Sequence, residues 1–252
     1  MPSSPLLQIS SVSKTFGGVV ALDTTSLELA EGSFTSLVGP SGCGKSTLFN
    51  IISGLLPPDG GSVSLEGRDV TGTSGHVGYM LQKDLLVPWR TVMGNITLAA
   101  SLTRRVTAED RAQAQAQAER YGLGDFLHHY PRTLSGGMRQ RVALMRTLAT
   151  NQSLLLLDEP FGALDAQTRL DMQQWLLEIW ADLGKTVVFV THDVDEALFL
   201  SDRVLVMSPR PGRVVADLTV DVARPRTLAT LTDPSFIELK RRVLGLLHRE
   251  NA

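Results

Sequence analysis

A nine-residue run, Gly39-Pro40-Ser41-Gly42-Cys43-Gly44-Lys45-Ser46-Thr47, constrains this chain more than any other feature. It fits G-x-x-x-x-G-K-[ST] and stands where that pattern must stand, between an apolar run (Phe34 to Val38) and residues of helical spacing (Leu48, Ile51, Ile52, Leu55). Gly42 and Gly44 can adopt backbone angles closed to residues with a Cβ, so successive N–H groups can curl around a phosphate. A helix starting near Thr47 would add unpaired N–H groups and partial positive charge. Lys45 would reach the outer phosphates of a nucleoside triphosphate, and the Ser46 hydroxyl would ligate Mg²⁺. Strand, glycine loop and helix in that order predict an α/β chain.

The remaining pattern agrees. Residues 7–12 and 24–29 read as strands separated by Gly-rich turns, and Ser62 to Leu65 as another. Short apolar or β-branched runs at 76–81, 153–158, 186–191 and 203–208 suit central strands covered on both faces. Helical patterns at 165–183 and 194–200 lie between them, which argues a mostly parallel sheet. The segment from Trp89 to Thr150 has helical character, including an Ala/Gln-rich stretch that Thr107 would cap. We expect a sheet core from 6–88 and 151–215, with 89–150 as an inserted helical lobe. Pro209, Pro211 and Gly212 mark a turn, after which strand character weakens. Residues 216–252 read as a short tail ending in an amphipathic helix over 234–249.

Composition narrows the class. Lys+Arg 24 against Asp+Glu 26 gives a formal charge of −2, without the basic stripe of a nucleic-acid binder. The single cysteine, Cys43, excludes an intrachain disulfide and fits a small position of the phosphate loop. No apolar run approaches the ~20 residues of a membrane span. Met1 to Pro5 lack the basic and apolar regions of a secretory leader. These readings predict a soluble, cytoplasmic chain whose membrane role, if any, comes through a partner.

Two further elements define the chemistry. Leu154 to Leu157 end in Asp158-Glu159, so a buried strand would deliver two acids to the sheet's carboxyl edge. There Asp158 would hold Mg²⁺ and Glu159 would orient or deprotonate a water. Leu134-Ser135-Gly136-Gly137-Met138 precedes a helical run and offers a second anion-binding N-terminus.

With this element the chain resembles the ATP-binding cassette family, the ATPase subunits of ABC transporters, over about residues 6 to 215. The motifs come in family order: the phosphate loop, Gln82, Leu134 to Met138, Asp158-Glu159, Ala163-Leu164-Asp165, and Thr191-His192-Asp193. The resemblance implies a P-loop NTPase fold of RecA-like type: a mostly parallel sheet core, an antiparallel β subdomain and an inserted α-helical subdomain. It implies that Gln82 contacts Mg²⁺ and the attacking water and relays nucleotide state to a membrane partner. Asp165 would lie at the seam between two ATPase subunits, and His192 would hydrogen-bond the γ-phosphate. Ser135, Gly136 and Gly137 would grip ATP bound by a second, head-to-tail subunit. Phe16 would stack on adenine, and its competing assignment is a Phe packed under a strand.

Met138 departs from the Gln that commonly ends the Leu-Ser-Gly-Gly motif. The stretch Gln82 to Val92 resembles the nitrate/sulfonate/taurine type of importer ATPase. That type implies integral membrane permease subunits, an indirectly engaged solute-binding protein, and a peripheral place on the cytoplasmic face of the cell membrane. Trp89 would either border the groove for a permease helix or pack the two lobes together. The alternative is a soluble ABC ATPase serving DNA repair, iron–sulfur assembly or ribosomes, but this chain has neither the long coiled coil nor the second cassette those relatives carry. A small-molecule kinase would leave Leu134 to Met138 unexplained. A GTPase would need an Asn-Lys-x-Asp motif, which is absent.

Overall fold

The computed structural model describes residues 5–250; residues 1–4, most of the segment read for a leader, lie outside the described residues. The chain opens with β1 (Leu7–Phe16) and β2 (Val19–Leu29), joined at Gly17-Gly18, where both residues take positive φ. β3 (Phe34–Val38), buried throughout, leads into α1 (Lys45–Ile52). β4 (Gly60–Leu65) and β5 (Arg68–Asp69) complete a four-stranded antiparallel sheet in the order β2-β1-β4-β5. The helix is shorter than its apolar pattern suggested. It closes at Ile52, and Leu55 is exposed beyond it.

β6 (Gly78–Met80) is followed by the helical segment, comprising α2 (Val92–Ile96), α3 (Leu98–Thr103), α4 (Ala108–Arg120) and α5 (Gly136–Leu148). Thr107 caps α4 in a reciprocal box with Asp110, satisfying amides that the helix leaves free. Ala114 and Ala118, four residues apart, form the buried line of α4. Sheet structure resumes in β7 (Leu154–Asp158), α6 (Ala166–Leu183), β8 (Thr186–Val190), α7 (Val194–Leu200) and β9 (Arg203–Met207). β10 (Val214–Thr219) and α8 (Pro234–Glu250) end the order.

The second sheet has six strands in the order β10-β9-β3-β8-β7-β6. All its pairings are parallel except β9 with β10. In β7 the alternation of side chains splits four leucines between two cores: Leu154 and Leu156 join the core beneath the antiparallel sheet, while Leu155 and Leu157 join the core under the helices. Val188 and Val190 against Val187 and Phe189 repeat this division in β8. A strand buried on both faces must read as continuously apolar, which is why these segments are legible without alternation.

The boundary expected at 215 falls inside β10, an antiparallel edge strand whose mixture of Val, Asp and Thr follows from one exposed side. The segment beyond it is part of the core. Phe236 and Val243 of α8 are fully buried in the larger cluster, and Lys240 Nζ lies 2.7 Å from Asp195 Oδ2 at the start of α7. Arg226, buried, donates to the carbonyls of Leu198, Phe199 and Ser201, closing the C-terminus of α7. Removing a buried ring leaves a cavity, so Phe236→Ala should cost about 3–5 kcal/mol in urea unfolding. A loss below about 1 kcal/mol would mean that α8 contributes nothing to the core.

Candidate functional site

The phosphate loop leaves the buried end of β3 and turns through Gly42 (φ 76°) and Gly44 (φ 101°). Close packing reinforces the need for glycine. A Cβ on Gly44 would lie 2.7 Å from Leu22 Cδ2, and one on Gly39 would lie 2.9 Å from Cys43 Sγ. Gly44 is the N-cap of α1, so the helix begins at Lys45, two residues earlier than Thr47. Lys45 and Ser46 therefore occupy the first turn, where backbone N–H groups have no helical partner. The Lys45 ammonium folds across the loop, donating to the carbonyls of Gly39 (2.8 Å) and Pro40 (3.0 Å). Cys43 is buried beneath it.

A cleft of about 700 Å³ opens over this loop. Phe16, Val19 and Ala21 line one side, the loop and Lys45 the floor, and Gln82, Glu159 and His192 the far wall. Phe16 ends β1 half exposed in this cleft and is not packed beneath a strand. Pro40 is absent from the lining, as are Gly39 and Cys43, which support the loop from below.

The two acids behave differently. Asp158 ends β7 with its carboxyl largely buried. Burial and the neighbouring Glu159 push its proton affinity up, against the Ser46 hydroxyl, Lys45 and Tyr79. The Tyr79 hydroxyl is in turn pushed up by burial and by Asp158. Glu159 takes positive φ (44°), its N–H bonded to Val190 O at 2.9 Å. One of its oxygens collects two loops: Gln82 Nε2 donates to Oε2 at 3.0 Å, and His192 Nδ1 lies 3.4 Å from the same atom. Residues 77 and 33 positions away in sequence thus meet on one carboxylate oxygen.

Behind His192 the loop is braced. Asp193 caps α7 by accepting from the Asp195 and Glu196 amides. Glu196 is buried and accepts from Gln173 Nε2 at 3.0 Å. Arg169 of α6 donates to Leu164 O at 3.0 Å and lies 3.8 Å from Asp193 Oδ2. The segment before Asp165 and the loop after His192 therefore share one guanidinium.

Ser135, Gly136, Gly137 and Asp165 do not line the cleft. Ser135 caps α5 and Asp165 caps α6, where Thr168 holds the aspartate carboxyl below its ordinary range. These two helix starts pack together: a Cβ on Gly137 would lie 2.9 Å from Thr168 Cγ2. Met138 packs against the larger core. The loop after Gln82 is tied to α5 by Arg146, which donates to the carbonyls of Asp84 and Leu85, and by Arg139, 3.1 Å from Asp84 Oδ2. Trp89 is 78% exposed and does not pack the lobes together; nearby Leu86 is buried in the larger core, and the buried Asn95 donates its amide to the carbonyls of Val87, Arg90 and Thr91. Arg210 also lines the cleft. No motif pointed to Arg210, because it lies in a proline turn more than 160 residues from the phosphate loop that only the fold brings close.

Comparison with known proteins identifies the family and the fold. A family model described as ABC transporter matches residues 22–162. A putative ATP-binding protein of Brucella abortus is 44% identical over 98% of this chain and 95% of its own. A taurine import ATP-binding protein of Yersinia pestis is 41% identical over 97% of this chain and 98% of its own. Among solved structures, a dimeric bacterial ABC transporter cassette has a TM-score of 0.74 at 32% identity, covering 86% of this chain and all of that one. A post-hydrolysis cassette bound to ADP and Pi gives 0.73 at 31% identity, covering 86% and 100%. The chain belongs to the ABC transporter family and is an ATPase with the P-loop NTPase fold.

Burial holds the Glu196 carboxyl above its ordinary range, so the folded chain keeps a proton that the unfolded chain releases. The contribution of Glu196 to stability should therefore fall as pH rises above the ordinary value of 4.5. Glu196→Gln, neutral and of equal size, removes that fall. Its melting temperature should gain on the parent's between about pH 5 and about pH 8. Parallel melting curves would contradict the burial effect.

Proposed function

We propose that this chain energises a multi-subunit importer of a small solute, working as a head-to-tail pair of ATPase subunits. One observation carries the pairing. Ser135 to Gly137 open α5 and Asp165 caps α6, two helix starts that pack together and that the chain's own cleft does not include. A second copy facing the cleft would supply them.

In this reading Phe16 stacks on adenine, which needs only its π-face. Amides of residues 39–47 cradle the phosphates and Lys45 neutralises their charge. The donor set for Mg²⁺ is the Ser46 hydroxyl beside the Asp158 carboxylate, with the Gln82 amide. These are hard oxygen donors at an acid whose buried charge calls for a counter-cation. Bound there, the ion would act as a Lewis acid toward the phosphates. Glu159 is the general base. Its Oε2 is oriented by Gln82 and His192, and no described residue hydrogen-bonds Oε1, which takes the proton of the attacking water. The water oxygen bonds to the γ-phosphorus as the bond to the β-phosphate oxygen breaks, releasing ADP and phosphate. His192 stabilises the charge on the γ-phosphate, and the second copy's Ser135 completes the cage.

Import, and a small anion or sulfonate such as taurine, nitrate or an aliphatic sulfonate as cargo, are supported by taurine import relatives at 41–45% identity. The exposed Leu85 and Trp89, on the loop leading from Gln82, would meet a permease subunit, with a solute-binding protein engaged indirectly beyond it. No described helix is long and apolar enough to cross a membrane, so attachment to the cytoplasmic face would be peripheral. The cell's own complex, purified in mild detergent, should contain a multi-span membrane protein in stoichiometric amount. Recovery with soluble partners alone would refute the transport reading.

Glu159→Gln should lower turnover by at least about 10²-fold while leaving ATP binding, and should accumulate a nucleotide-trapped dimer. Full turnover would remove Glu159 from the base role. Ser135→Arg should leave ATP binding by the monomer intact and abolish hydrolysis; an active variant would contradict the head-to-tail pair.

A further inference from the structure

The turn after β9 brings a cation to the cleft that the phosphate-loop chemistry does not include. Gly212 N–H donates to Ala21 O at 3.0 Å, and Asp23 N–H donates to Gly212 O at 2.9 Å, tying the turn to β2. A Cβ on Gly212 would lie 1.8 Å from Cys43 O, so the turn rests directly on the phosphate loop. The Ser208 hydroxyl donates within the turn and accepts from Arg213 N–H. The mount is therefore rigid on both sides.

Arg210 projects from it into the cleft. Its guanidinium makes only long contacts, with Nη2 at 3.3 Å and Nε at 3.4 Å from Gly42 O. Among the described residues Arg210 forms no ion pair, whereas Arg104, Arg203 and Arg224 all pair with carboxylates. An exposed guanidinium with one weak carbonyl contact keeps most of its five N–H donors, in a planar fork matched to phosphate oxygens. Beside a loop that cradles phosphates, it is positioned to meet the same anion.

We propose that Arg210 is a second cationic ligand of the nucleotide's polyphosphate chain, acting with Lys45 from the opposite end of the sequence. The inference rests on the ATP-binding reading. It assigns the turn at 208–213 to the binding site, so that nucleotide would link β9 and β10 to the phosphate loop.

The test measures binding by the full-length chain in EDTA, which prevents hydrolysis, with ATP, inorganic tripolyphosphate and adenosine as probes. Arg210→Ala should weaken ATP and tripolyphosphate about tenfold each and leave adenosine unchanged. Arg210→Lys should recover part of the loss, and added NaCl should weaken ATP less steeply for Arg210→Ala than for the parent. Arg210→Gln, with matched melting temperature, controls for folding. Unchanged tripolyphosphate affinity in Arg210→Ala would overturn the proposal, as would an equal loss for adenosine. Lys45→Ala separates the two readings. If it binds ATP as the parent does, the phosphate-loop assignment itself fails; if it loses ATP while Arg210→Ala does not, only the Arg210 assignment fails.

Discussion

Burial of β3, β7 and β8 on both faces is the constraint on which the rest of the molecule depends. Strands covered on both sides can expose polar chemistry only at their ends. At one edge of this sheet they deliver the phosphate loop, Asp158-Glu159 and Thr191-His192, three segments with no sequence proximity. Ligands of open α/β sheets bind at that edge for this reason. The two cores that grip the sheet, one under the antiparallel strands and one under the helices, hold those ends in register.

The site has two kinds of rigidity. Backbone close approach, at Gly39, Gly44 and Gly212, sets the shape of the phosphate loop and admits no Cβ. Side-chain ties then join loops that belong to different elements. Gln82 and His192 meet on Glu159, Arg169 joins the approaches to Asp165 and His192, and Arg139 and Arg146 fasten the loop after Gln82 to the helix that follows Ser135. Arg139 and Arg146 thus hold the loop bearing Gln82 and the exposed Trp89 against α5.

Much of this was legible because each motif encodes a local requirement. Gly44 followed by Lys45 and Ser46 requires a turn and a helix start, and four leucines before two acids require a buried strand with a polar end. The helix cap at Thr107 was readable for the same reason, whereas the caps at Ser135 and Asp165 emerged only in the structure. Edge strand β10 was not, because a half-exposed strand of mixed composition lacks both an apolar run and clean alternation. α8 was legible as an amphipathic helix, but periodicity cannot say which surface covers its apolar face, and that surface proved to be α7 and the main core. Trp89 is the converse case, a large apolar residue with two plausible places that the fold leaves exposed, while nearby Leu86 is buried in the main core.

What the sequence determined by itself was the class of chemistry: the residue types in these motifs specify phosphate binding, an acid pair and the ABC family, since each works through its immediate neighbours. What only the tertiary structure decided was the company those residues keep. Glu159 with Gln82 and His192, Arg169 between two loops, Arg210 over Gly42, and the separation of Ser135 from the cleft are long-range contacts. They depend on strand order and packing, whose free energy is spread over both cores and written in no single segment.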